Sequence, residues 1–190
     1  MNTQSGIQLT NLSLSSVPPQ VSLGILKGPE HEALTELIAN LALFGSFHLI
    51  AGSEWLPNQD DLRRSVRRYT TAVKETLDHP TLGRPSTCLQ MLDQLRAADM
   101  QDCPILVLDF LHFFYDPDVD LILRQRVLEQ CCRHVQILSR SKSVLLLVQC
   151  LPIDEYQLFF SILASVANEI LEAREEFAEQ STQLSLFGAG

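Results

Sequence analysis

Gly28, Pro29, Glu30, Ala33, Leu34 and Thr35 stand between a short apolar run, Val21 to Leu26, and a helix-like stretch that reaches Phe44. A junction of this kind binds phosphate when glycines let backbone N–H groups close around the anion, a lysine neutralises it and a hydroxyl serves its metal ion. The pattern G-x-x-x-x-G-K-[ST] would need glycine at position 33 and lysine at position 34. Here those positions hold Ala33 and Leu34, and only Gly28 and Thr35 survive. Ala33 adds a methyl group where the backbone must come close, Leu34 removes the charge, and Glu32 brings a carboxylate beside the expected triphosphate. Lys27 lies on the wrong side of the loop to substitute. Downstream, Glu54, Asp109 and Gln149 each follow an apolar run. Without the lysine no efficient ATP hydrolysis is expected. The same residues also fit a plain scaffold, with Thr35 a helix-start hydroxyl and Asp109 a strand-end carboxylate.

The elements that must position these groups alternate in type. Apolar runs predict strands at residues 21–26, 47–51, 104–110 and 144–148, the last two continuous enough for a parallel sheet buried on both faces. Helical spacing predicts helices over residues 32–44, 59–77, 86–98, 118–139 and 154–176. The first carries the stripe Leu34, Leu37, Ile38, Leu41 and Ala42 and ends at Gly45. The third has Ser86 as its cap and Leu89, Leu92 and Leu95 facing inward. The last shows the stripe Leu158, Ile162, Val166 and Ile170. Residues 79–85, with two prolines and a glycine, predict a loop, and Trp55 a packing residue at the sheet edge. Such alternation means an α/β fold, with ligand sites at the carboxyl ends of the strands.

Taken in order, the segment Val17 to Thr35 resembles the start of the RecA/RadA ATPase core. The segment ending in Glu54 is similar to the strand that carries that family's catalytic glutamate. Pro104 to Asp109 resembles the Walker B strand, whose aspartate handles a magnesium-bound water, and Val144 to Gln149 resembles the strand that ends in a nucleotide-sensing glutamine. The resemblance covers residues 17–150. It implies a RecA-like three-layer sandwich with a mostly parallel sheet, truncated after the fourth core strand. The implied organisation is a flexible arm at residues 1–16, a RecA-like domain at 17–178 and a flexible tail at 179–190. Within the family the chain looks most like the ImuA-type degenerate relatives, which accompany an error-prone polymerase.

Gln183, Leu184, Ser185, Leu186 and Phe187 fit the pattern Q-L-[SD]-L-F, which resembles the peptides by which bacterial proteins dock on the DNA polymerase sliding clamp. An amide for hydrogen bonding and a leucine–phenylalanine pair for an apolar pocket would carry the affinity. The bland alternative is that these side chains pack back on the domain.

Charge and cysteines narrow the classes. A net charge of -9 over 190 residues argues against a freestanding nucleic-acid binder, which needs a positive surface. The loops where RecA-like proteins hold DNA are here acidic (residues 114–120) or without a basic residue (150–155). Arg63, Arg64, Arg67 and Arg68 form the one basic patch, a solvated face or a contact for an acidic partner. His112 to Tyr115 could stack on a base but fit packing under the next helix better. Five cysteines without a C-x-x-C pair suit buried reduced thiols and no zinc site. Neither a signal peptide nor a membrane span is read, so a cytoplasmic protein is expected.

The expectation is a non-catalytic accessory protein of DNA repair, of the SOS response or of translesion replication. It has no cofactor and no metal. Its partners are the sliding clamp and a repair polymerase or RecA-like subunit, with direct DNA binding weak or absent. Two alternatives stay open: a divergent ATPase using ATP and magnesium, completed by a neighbouring subunit, and an interaction scaffold unrelated to DNA.

Overall fold

The structure is a computed structural model, and it describes residues 18–26, 31–149, 151 and 153–172. Six strands form one sheet, all parallel: β1 (Val21–Leu26), β2 (His48–Ile50), β3 (Thr81–Gly83), β4 (Ile105–Val107), β5 (Val144–Gln149) and β6 (Glu169–Glu172), in the order β3-β2-β4-β5-β1-β6. Six α-helices are described: α1 (His31–Phe44), α2 (Gln59–Arg67), α3 (Val73–Leu77), α4 (Cys88–Ala97), α5 (Leu121–Leu138) and α6 (Asp154–Ala164). Strand side chains alternate between the faces, so each run feeds two cores. Leu49, Leu106, Leu145 and Leu147 pack with α1 on one face. Ile50, Val107, Leu146 and Val148 pack with α4, α5 and α6 on the other. The result is a three-layer α/β sandwich.

Helix α1 buries the expected stripe of Leu34, Leu37, Ile38, Leu41 and Ala42 and stops at Gly45, whose φ of 140° suits glycine. Other elements differ from the sequence reading. The predicted helix 59–77 is two helices, because the chain turns through Thr70, whose hydroxyl accepts from the Ala72 amide. Strand β3 lies inside the predicted loop, paired to β2 through Thr81 N–H to the Phe47 carbonyl at 3.0 Å. The predicted helix 154–176 ends at Ala164 and the chain returns as β6. The cause is β1: Asn168 exchanges two hydrogen bonds with Val21, each of 2.9 Å, and seeds a parallel ladder on the exposed side of that strand. Two further strands therefore join the four read from the sequence, one at each edge.

The inward faces of two helices also move. In α4 the buried residues are Cys88, Met91, Leu92 and Leu95, while Leu89 is exposed, and the side-chain cap is Thr87, which accepts from the Gln90 amide. In α6 Tyr156, Phe159 and Leu163 face the core and Leu158 is 40 % exposed. A run of four-residue steps drifts around a helix of 3.6 residues per turn, so the larger aromatic stripe takes the core.

Candidate functional site

Parallel strands end together, and the carboxyl ends of the central ones converge where the chain reverses its direction of travel across the sheet: β1 leads toward β2, β5 toward β6. Leu26 is paired in register with Gln149. The Gln149 amide donates to Asp109 Oδ1 at 3.3 Å, so Asp109 bridges the ends of β4 and β5. Asp109 and Gln149, separated by forty residues of sequence, thus come together beside the end of β1. Gly28, Pro29 and Glu30, the first part of the loop that follows β1, lie outside the described residues, as does the whole peptide Gln183, Leu184, Ser185, Leu186 and Phe187.

Asp109 is the unusual residue of this edge. It is 2 % exposed and has φ 46° and ψ 56°, the only non-glycine residue with positive φ among the described residues. A left-handed residue with a Cβ costs on the order of 1 kcal/mol, least for Asp and Asn. The conformation lets β4 turn directly into the short 3-10 helix Phe110–Phe114. Burial pushes the Asp109 carboxyl up to about 6, against the opposing pull of the Gln149 backbone amide, the nearby His112 and Trp55. His112 Nδ1 stands 3.7 Å from Oδ2. Trp55, on the turn after β2, is buried and lies near this carboxylate. Glu54, its neighbour on that turn, is exposed.

Ala33, Leu34 and Thr35 all lie within α1, not in a loop. Leu34 is 1 % exposed and part of the core formed by α1 and the sheet. The Thr35 hydroxyl is spent on its own helix, donating to the His31 carbonyl at 2.6 Å. Next to these residues a cleft of about 600 Å³ opens between α1 and α2, lined by His31, Glu32, Thr35, Glu36, Asp61, Ser65, Arg64 and Arg68 among others. Its two cations are engaged: Arg68 with Glu36 and Arg64 with Asp61, each at 2.7 Å. Arg63 contacts Asp60 at 3.4 Å and looks into a different cleft on the other side of α2, and Arg67 is exposed. The four arginines thus do not present one surface: α2 divides them.

These residues do not fit a magnesium-bound triphosphate. Where a lysine would reach the β/γ-phosphates there is a core leucine, and the cleft beside it carries Glu32, Glu36 and Asp61 against two already paired arginines. What remains is a buried carboxylate at the strand ends and a polar cleft between α1 and α2.

Cys103 is a free thiol only partly buried and Cys150 lies outside the described residues; Cys88, Cys131 and Cys132 are buried free thiols, as expected, and burial pushes the thiol of Cys132 up to about 12 and that of Cys131 higher still. These buried thiols are inert toward thiolate chemistry. No group of three or more potential metal ligands occurs among the described residues, and none of their helices is long and apolar enough to cross a membrane. Comparison with protein-family models and with curated proteins finds no match for this chain.

Proposed function

We propose that this protein is a non-catalytic, RecA-like accessory protein of DNA repair or translesion replication, docking on the sliding clamp through Gln183 to Phe187. One observation carries the non-catalytic part: Leu34, at the position of the phosphate-binding lysine, is a core side chain. Three features support the RecA-like part. The parallel sheet puts the end of β1, Asp109 and Gln149 side by side, the turn bearing Glu54 also carries Trp55 to Asp109, and α1 starts directly after β1. Asp109 and Gln149 then keep a structural task, tying β4 to β5, in a site whose cation is gone.

The clamp reading rests on the pentapeptide Gln183-Leu184-Ser185-Leu186-Phe187. Its test is a pull-down of purified bacterial sliding clamp by the full chain and by the chain lacking residues 183–190. Capture by the first and not the second is expected; equal capture, or none by either, overturns it. Titration with a fluorescent ATP analogue tests the other half. Binding abolished by Thr35→Ala or Asp109→Ala would instead support a divergent ATPase completed by a neighbouring subunit.

A further inference from the structure

A second cleft, of about 320 Å³, lies between α1, α2, α3 and the edge strand β3. Its floor is apolar: Ile38, Leu49, Leu56, Leu62, Leu77 and Leu82. Arg63 and Arg84 stand at its rim with one carboxylate, Asp78. Of these groups only Leu56 is shared with the polar cleft.

Three features of this cleft point to a partner. Leu82 is 43 % exposed at the edge of the sheet, with its side chain facing the cleft beside those of α2 and α3. The volume is at the low end for ligand sites, room for a few aliphatic side chains. The charge runs against the whole molecule: the chain carries -9, yet here two arginines face one carboxylate. Arg84 has no ion pair among the described residues, and Arg63 has only the 3.4 Å contact with Asp60, both of whose side chains are at least half exposed. Exposed pairs of that kind are worth little and are readily exchanged.

We infer that this cleft is the docking site for a short acidic segment of a partner protein, whose aliphatic side chains fill the floor while its carboxylates meet Arg84 and Arg63. The apolar anchors supply the affinity, and the arginines select acidic over basic sequences. The inference does not depend on the RecA-like reading or on the clamp.

The test is selection of phage-displayed twelve-residue peptides on the immobilised full chain, followed by binding of the enriched peptides in solution. Enriched sequences are expected to combine Leu, Ile or Phe with Asp or Glu. Leu82→Glu and Arg84→Glu should each weaken them at least tenfold, while Leu123→Glu, the same change at a similarly exposed site on α5, should not. Arg84→Glu alone decides the matter if Leu82→Glu does not fold. No enrichment, enrichment of basic peptides, or indifference to both cleft variants overturns the inference. So does a tenfold gain in peptide affinity on deleting residues 173–190, which would give the cleft to the chain's own tail. A dimer in light scattering that Leu82→Glu dissolves would give it to a second copy, with the same consequence.

Discussion

Asparagine in place of Asp109 removes a charge that the fold holds at a cost. The carboxyl titrates at about 6 in the folded protein and at an ordinary 3.8 when exposed. Between those values the native state holds the proton more tightly than the unfolded state, so stability falls as pH rises through the window and stays low above it. The difference is worth about 3 kcal/mol at neutral pH. The carboxamide would have nearly the same shape, keep an acceptor for the Gln149 amide and carry no titration. Below about pH 3, where aspartic acid is protonated in both states, Asp109→Asn should leave stability within about 1 kcal/mol of the parent. From pH 4 to pH 7 the variant should gain on the parent and level off about 2–3 kcal/mol more stable. Urea unfolding of both proteins at pH 4, 5, 6, 7 and 8 reads this directly. A difference that is the same at every pH, or a variant that loses ground as pH rises, refutes the account of Asp109 as a desolvated carboxylate. Confirmation would also matter for function, because a chain that retains an acid where an amide is more stable has a use for the acid.

Other outcomes can be checked on the same material. Leu34→Lys should not restore nucleotide binding in a fluorescent-ATP titration, and it should cost about 3 kcal/mol or more in urea unfolding, because a charge enters a 1 % exposed core position. Lys142→Met should lower the melting temperature by roughly 5–10 °C, since Lys142 Nζ, 8 % exposed as a residue, donates to the carbonyls of Ala98, Asp99 and Gln101 after α4. Glu155→Ala should cost about 2–3 kcal/mol by calorimetry, because it leaves the buried Arg124 guanidinium without its two-pronged partner; Arg124→Met combined with Glu155→Leu should recover most of that loss.

Strong local pattern made part of this molecule legible from residues alone. Val21–Leu26 and Val144–Gln149 are apolar on both faces, so nothing but a buried strand fits them, and α1 shows an uninterrupted stripe. The elements that escaped depend on neighbours far off in sequence. Glu169–Glu172 has good helix formers and becomes a strand because β1 offers a free edge. Thr81–Gly83 is only three residues, two of them exposed, and exists because β2 needs a partner. At the site, residue types revealed Asp109 and Gln149, but only the fold could bring them together. The left-handed backbone of Asp109 has no sequence signature, since it arises from how one strand end meets another.

Because every strand runs the same way, β6 ends at the same rim as Leu26, with Glu172 in register with Ile25. That rim also carries Asp109 and Gln149. Between Glu172 and Gln183 the backbone can stretch at most about 40 Å. If Gln183 to Phe187 docks on the sliding clamp as proposed, the clamp would be tethered within that distance of the rim, at an effective concentration in the millimolar range. Weak contacts made there would then suffice, and the tether would decide which end of the protein meets whatever else the clamp is carrying.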